Sequence, residues 1–133
     1  MERHYVPRPG TCWPYRAAAL AHDSEIACAG ITTVFDATAI GEGILNKGRY
    51  RMVVDAANAV KISVGNDILR TEHYLHIRCE VASSNVVELF NSFQNDPLVK
   101  LVLLMDHTPG ERQFVDKEKL KVYYQCKYGL SDS

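Results

Sequence analysis

The sequence predicts an α/β protein in which parallel strands alternate with helices. Three segments have the composition or the periodicity of strands, residues 31–36, 74–81 and 98–105. Segments with the apolar spacing of helices lie before, between and after them, so the predicted order over residues 15–133 is αβαβαβα. Strands that are joined through a helix run parallel, with right-handed crossovers. A chain of 133 residues suits a single domain.

The best-defined strand is the segment 74–81, in which apolar and polar residues alternate one by one. The apolar positions are Leu75, Ile77, Cys79 and Val81, and the polar positions are His76, Arg78 and Glu80. This alternation predicts one apolar and one polar face. Because charged residues are rarely buried without partners, the polar face points either to solvent or into a functional lumen. His73 and His76 fall on opposite faces of such a strand, which excludes a metal-binding pair.

The N-terminal part is predicted to be a loop followed by a helix. Prolines and a glycine argue against regular structure in residues 1–14, and Trp13 is expected to anchor this loop by packing. The alanine-rich segment 15–29 predicts a helix that ends at Gly30.

The next three segments are a strand, a loop and a helix. The strand 31–36 is rich in β-branched residues and places Asp36 at its C-terminal end. Residues 38–48 are predicted to be a glycine-rich loop, and the spacing of their glycines does not match a nucleotide-binding loop. Residues 49–64 have the apolar stripe of an amphipathic helix.

The C-terminal half predicts a second crossover and a last helix. Asn85 and Glu88 have the spacing of a capping box for a helix that runs to Asn95. The strand 98–105 is almost continuously apolar, which predicts burial on both of its faces. Asp116 is predicted to cap the last helix.

Composition excludes several classes of function. The formal net charge of −1 offers no broad basic surface, so nucleic acid is not an expected partner. No apolar run approaches the roughly 18 residues that a membrane helix needs, so no membrane association is expected, and the N-terminal residues lack the apolar core of a signal peptide. The four cysteines are scattered without a Cys-x-x-Cys pair, which predicts free buried thiols in a cytoplasmic protein.

Candidate functional residues follow from the predicted strand ends, because the carboxyl ends of parallel strands share one edge of a sheet, where ligands bind. Glu80 is a candidate metal ligand or general base, and the alternative is a salt bridge with Arg78 or a lysine. Asp106 and His107 are adjacent with diverging side chains, so one is expected to hold a backbone group while the other serves a site. Arg112 suits a bidentate contact with a phosphate or carboxylate, and the alternative is a solvated loop arginine.

Several motifs, read together, resemble the PhnM family of phosphonate-metabolism diphosphatases, which belongs to the amidohydrolase superfamily. The motifs are residues 29–37, 76–81 and 104–114, supported by residues 123–128 and 7–9. The resemblance implies a TIM (β/α)8 barrel with a divalent metal such as Zn or Mn at the carboxyl ends of its strands. This chain would supply strands two to four of that barrel, which is then incomplete. The implied reaction removes pyrophosphate from a phosphorylated ribosyl phosphonate.

The resemblance also implies roles for the candidate residues. Glu80 would be a metal ligand, Asp106 and His107 would be catalytic, and Arg78 and Arg112 would bind the substrate. The paired histidines of the family's metal site would lie before Met1, and its later ligands would lie beyond Ser133. The chain is therefore expected to be inactive alone and not to bind the metal by itself.

An alternative function is a small α/β binding or assembly module that derives from the barrel and lacks catalysis. A parallel sheet of three strands leaves two apolar edges, which can pair with another chain. Self-association through these exposed sheet edges is therefore a second expectation.

Overall fold

The computed structural model describes residues 2–5, 11–41, 49–108, 110 and 115–128. In chain order its elements are α1 (Glu2–Tyr5), α2 (Tyr15–Cys28), β1 (Thr33–Ile40), α3 (Arg49–Gly65), β2 (Glu72–Glu80), α4 (Val86–Asn91), β3 (Val99–Met105) and α5 (Lys117–Tyr128). The order from α2 onwards is the predicted alternation of helices and strands. The short α1 lies in the segment that was predicted to be a loop, and that prediction is wrong. None of the described helices is long and apolar enough to cross a membrane.

The three strands form one parallel sheet in the order β1-β2-β3, as predicted. Asp36 of β1 lies opposite Leu75 of β2, and the last residue of β1, Ile40, lies opposite Cys79. On the other side of β2, Glu80 lies opposite Met105 of β3. The carboxyl ends of the strands therefore meet at one edge of the sheet.

The core lies on one face of this sheet, under the helices. Its buried members are Ile40, Val53, Ala57, Val60, Leu75, Ile77, Cys79, Leu89 and Phe93. The predicted alternation of β2 is confirmed, because Leu75 and Ile77 are fully buried whereas His76 and Arg78 are only half-buried. Burying a side chain such as Leu75 contributes about 1.5–3 kcal/mol to folding.

The prediction that β3 is buried on both faces is wrong. Its four central residues, Leu101, Val102, Leu103 and Leu104, are between 42% and 71% exposed. Burial on both faces requires a covering layer on each side, and neither layer is present over β3 among the described residues. A continuous apolar run identifies the strand but does not supply its partners.

Strand β1 is longer than predicted and continues past Asp36 to Ile40. Residues 38–40, which were assigned to a loop, pair with β2, and Thr38 and Ile40 are buried in alternation with half-buried or exposed neighbours. Asp36 therefore lies inside the strand rather than at its end. In the sequence, a charged residue inside a strand looks like the end of that strand, because a charge is buried only when it has partners. Those partners are visible only in the structure.

The helix ends follow local signals in two of three cases. Gly30 has a φ of 78° and closes α2, with the N–H of Ile31 donating to the carbonyl of Ile26 at 3.0 Å. Asp116 accepts the backbone N–H groups of Glu118 and Lys119 and caps α5 as predicted. The third signal, the capping box before α4, is wrong.

In that third case, the Asn85 side chain makes no cap hydrogen bond, and its Oδ1 accepts the Ser83 hydroxyl at 2.6 Å instead. The other end of helix α4 also differs from the prediction, because the helix ends at Asn91 rather than at Asn95.

Two predictions about packing are also corrected. Trp13 is 50% exposed and does not anchor the N-terminal segment. All four cysteines are free, but Cys79 alone is buried, whereas Cys12, Cys28 and Cys126 are exposed. Burial raises the pKa of the Cys79 thiol, so it behaves as an apolar core group.

Candidate functional site

Glu80 occupies the position that the sequence predicts, at the carboxyl end of the central strand. It is the last residue of β2 and lies on the face opposite the core, together with His76 and Arg78. Its side chain is 20% exposed. Since Met105 lies opposite Glu80, the residues that follow β3 begin beside this carboxylate.

His107 holds both oxygens of the Glu80 carboxylate. Its backbone N–H donates to Oε1 at 2.9 Å, and its imidazole Nδ1 forms a short hydrogen bond with Oε2. A carboxylate can only accept, so Nδ1 of His107 donates to Oε2. Two hydrogen bonds from one residue to the two oxygens of this carboxylate set the orientation of Glu80.

Asp106 organises the turn after β3. Its Oδ1 accepts the backbone N–H of Thr108 at 3.0 Å and the Thr108 hydroxyl at 2.6 Å. One of the two adjacent residues was expected to hold a backbone group, and Asp106 does so, while His107 contacts the strand-end carboxylate. Arg112 lies outside the described residues.

Gly41, which follows the last residue of β1, fixes Glu80 from the other side. Its φ is 105°, a region that L-residues with a side chain rarely adopt. A Cβ atom built at Gly41 would lie 2.8 Å from the Cβ of Glu80 and 3.1 Å from the Cβ of Ser83. The close approach of these chain segments therefore requires glycine, for a reason that the sequence analysis did not identify.

Arg78 lies two residues before Glu80 on the same face and is half-buried. Within the described part of the chain, the partner of Glu80 is His107, so the proposed salt bridge between Arg78 and Glu80 is wrong. Arg78 instead lines a cleft of about 130 Å³, together with apolar side chains of α3 and the carboxylate residue Asp36 of β1.

His76 lies beneath Arg78 on the same face of the sheet. Burial and then the charge of Arg78 lower the pKa of His76, which favours its neutral form. This face of β2 therefore carries a neutral imidazole, a guanidinium and a carboxylate in succession towards the strand end.

The described residues meet the needs of a divalent metal only in part. They contain no group of three or more His, Cys, Asp or Glu side chains that could hold an ion. Zinc takes about four donors and larger divalent ions take more. Glu80 can supply one carboxylate to such a site, and the rest of a coordination sphere is not formed by the residues that the structure describes.

A second cluster of histidines and aspartates lies on the core face, and the sequence analysis missed it. His73 Nδ1 lies 2.7 Å from Asp36 Oδ2, and its Nε2 lies 3.4 Å from Asp23 Oδ1. His22 Nε2 of α2 lies 3.0 Å from Asp36 Oδ1. A signal was present, because His73 has the same parity as Leu75 and Asp36 has the same parity as Ile40, which places both polar residues on the core face.

Hydrogen bonds keep both carboxylates of this cluster ionised. Burial alone would raise the pKa of Asp36, but the hydrogen bonds from His22 and His73 outweigh it and lower the pKa to about 2. Burial likewise opposes ionisation of Asp23, and hydrogen bonds from Arg70, Thr71 and His73 lower its pKa. The cluster lies away from the carboxyl ends of the strands, and those ends form the edge at which ligands bind.

No family model matches this chain, and no solved structure matches it. The chain is 39% identical to alpha-D-ribose 1-methylphosphonate 5-triphosphate diphosphatase of Escherichia coli (strain K12) over 133 residues, which are 100% of this chain and 35% of that protein. The chain therefore spans about a third of the length of this curated relative. This similarity over every residue confirms the resemblance to the phosphonate-metabolism diphosphatases that the motifs indicate.

Proposed function

We propose that this chain forms part of a metal-dependent diphosphatase that releases pyrophosphate from a phosphorylated ribosyl phosphonate. The name of the E. coli relative supports the reaction, and the similarity extends over the whole chain. The observation that carries the proposal is the placement of Glu80 at the carboxyl end of β2, where His107 and Gly41 fix it. A carboxylate that is fixed at this edge of a parallel sheet suits a functional site.

The proposed fold is an amidohydrolase-type (β/α)8 barrel in which β1, β2 and β3 serve as strands two, three and four. The parallel order and the helices on one face support this assignment. The opposite face would line the barrel lumen, which accounts for the half-buried Arg78 and Glu80 on it. The scattered free cysteines support a cytoplasmic location.

Each candidate residue then has a role that its contacts support. Glu80 would be one ligand of a divalent ion such as Zn or Mn, which would stabilise the charge that develops on the phosphates. Arg78 offers planar donors to a phosphate of the substrate, as Arg112 would from its loop. His107, whose Nδ1 donates to Glu80, would take part in proton transfer, and Asp106 fixes the turn that positions it.

The first test places this chain in a complete enzyme. A hybrid protein carries it in place of the matching 133 residues of the E. coli relative. We expect Glu80→Gln to lower pyrophosphate release and metal content at least about tenfold, as lost ligands or their supporting groups usually do.

Glu72→Gln is the matched control, since Glu72 lies at the amino end of β2 on the same face and accepts the Thr33 hydroxyl at 3.1 Å. Its activity should stay within about twofold of the unmodified hybrid, a change worth less than half a kcal/mol. Equal activity of the two variants would contradict the role of Glu80.

The isolated chain is expected not to release pyrophosphate. The described residues contain no group of three or more His, Cys, Asp or Glu side chains that could hold a metal ion, and cleavage of a phosphoanhydride depends on stabilisation of the leaving charge. The measurement is pyrophosphate release by the purified chain with added Zn or Mn. Release that is proportional to the concentration of the chain and is removed by a chelator would contradict this expectation.

A binding or assembly role is the second candidate, and the exposure of β3 favours it. Leu101 and Leu103 on one face and Val102 and Leu104 on the other are all at least 42% exposed. An exposed apolar edge strand favours pairing with another chain, including a second copy. Sedimentation of the isolated chain over a hundredfold concentration range tests this role, and a monomer at every concentration would exclude self-association.

A further inference from the structure

We infer that His73 is the centre of a charge-dependent latch, which holds α2 on the sheet through Asp23 and Asp36. The three residues come from β2, α2 and β1, so one imidazole connects a helix with two strands. All three are buried, with at most 7% of each residue exposed. This inference does not depend on the proposed function.

Each ring nitrogen of His73 lies next to an oxygen atom that accepts a hydrogen bond from it. Nδ1 lies 2.7 Å from a carboxylate oxygen of Asp36, which can only accept. Nε2 lies 3.0 Å from the hydroxyl of Thr71, whose own proton is directed to Asp23 Oδ1 at 3.0 Å. His73 therefore donates from both nitrogens, and a ring that donates twice is an imidazolium.

The other charged groups around His73 complete the balance of charge. His22 contacts Asp36 from α2, and its ring lies 5.7 Å from that of His4 in α1, which in turn pairs with Glu25. The guanidinium of Arg70 lies 3.6 Å from Asp23, but its side chain is 66% exposed and solvent screens it. Among the residues that the structure describes, His73 is thus the one buried group that contacts both carboxylates.

Helix α2 depends on this polar contact more than α3 does. The buried residues of α2 are Ala18, Ala19, Asp23 and Ile26, of which Ile26 is the one large apolar side chain, and Leu20 is half-buried. Helix α3, in contrast, contributes Val53, Ala57 and Val60 to the main core. A His73 that has lost one proton keeps a single N–H, so its other nitrogen turns a lone pair towards a buried carboxylate, either Asp36 at 2.7 Å or Asp23 at 3.4 Å. Asp23 keeps the hydrogen bonds from the backbone N–H groups of Arg70 and Thr71, so the expected response is a weaker attachment of α2 to the sheet.

The direction of the pH dependence follows from the signs. Burial opposes ionisation of His73, but the hydrogen bond and charge of Asp36, followed by those of Asp23, raise its pKa. The latch is therefore complete below the ordinary histidine pKa of about 6.5 and is lost as the pH rises through the raised value. Protonation of the aspartates weakens it only in acid, since both of their pKa values are lowered.

The test is hydrogen exchange of the 133-residue chain between pH 5.5 and 9, followed by mass spectrometry of peptides from α2 and α3. We expect the protection of α2, relative to that of α3, to fall up to about tenfold per pH unit above 6.5. The control His76→Gln, on the opposite face of β2, should keep this dependence, whereas His73→Gln should abolish it. Equal loss of protection in α2 and α3, or no loss, would overturn the latch.

A second measurement is independent of whether His73→Gln folds. The ring nitrogen resonances of the unmodified chain, labelled with ¹⁵N at histidine, report the protonation state of each imidazole directly. We expect one buried histidine to remain doubly protonated at pH 7, where an ordinary histidine is about three-quarters neutral. Neutral rings for all histidines at that pH would overturn the inference.

Discussion

Two of the histidine–carboxylate pairs use the same chemistry in opposite surroundings. Glu80 and His107 lie at the carboxyl ends of the strands, with side chains that are 20% and 30% exposed. His73 and Asp36 lie on the core face, with side chains that are 1% and 6% exposed. Solvent can compensate a change of charge at the first pair but not at the second. The exposed pair is therefore suited to a ligand, and the buried pair to holding elements together.

The largest expected difference concerns removal of one partner from the buried pair. His73→Leu leaves Asp23 and Asp36 without their shared cation, and breaking a buried ion pair in this way costs about 3–5 kcal/mol. We expect urea unfolding, followed by circular dichroism, to show a loss of this size in the free energy of unfolding. His76→Leu, three residues along the same strand, should cost less than half as much. Similar losses for both variants would remove the distinction between the two faces.

Gly41→Ala tests how firmly the exposed pair is held. The φ of 105° disfavours alanine, and its Cβ would lie 2.8 Å from that of Glu80. Strain of this kind costs about 1–3 kcal/mol. In the hybrid enzyme we expect lower activity together with this loss of stability, because Glu80 must move.

Gly30→Ala is the matched control for Gly41→Ala. It also has a positive φ, 78°, but its added Cβ would meet nothing within 4 Å. It should lower stability while leaving activity of the hybrid within about twofold, since twofold is below half a kcal/mol. Loss of activity in both variants would indicate a general effect of strain rather than displacement of Glu80.

The pH dependence of stability separates the two faces of β2 further. The raised pKa of His73, caused by Asp36 and Asp23, gives stability that is present below about pH 6.5 and is lost as the pH rises through the raised value. The lowered pKa of His76, caused by burial and then by Arg78, gives stability that is present above about 6.5 and is lost as the pH falls. Each contributes at most about 1.4 kcal/mol per pH unit.

We therefore expect the free energy of unfolding to be highest close to the ordinary histidine pKa of about 6.5. His76→Gln should flatten only the acid side of the profile, and this is measured by urea unfolding at pH intervals of half a unit. A steeper alkaline side in that variant would contradict the assignment of the two signs.

The smallest effect is expected for the stability of Glu80→Gln. Its carboxylate is partly exposed, and glutamine still accepts the backbone N–H of His107. We expect a change of about 1 kcal/mol or less in the free energy of unfolding, alongside the large loss of activity in the hybrid. A loss as large as that of His73→Leu would mean that the exposed pair is also structural.

Local rules accounted for much of what the structure contains. The alternation of residues 75–79 correctly predicted both the central strand and its buried face. Gly30 and Asp116 correctly marked helix ends, because a cap depends on neighbours within a few residues. The sequence also placed Glu80 at a strand end, since the end of a strand can be located where the alternation of apolar and polar residues stops.

The sequence by itself thus determined the order of the elements, the faces of β2 and the similarity to a diphosphatase, because each depends on nearby residues or on whole motifs. Only the tertiary structure decided which partners the charged residues have. Asp36 meets His73 across 37 positions of sequence, and Glu80 meets His107 across 27, through the register of paired strands. It also decided that β3 is exposed and that Gly41 must be glycine, since burial and close approach depend on what lies alongside a segment in space.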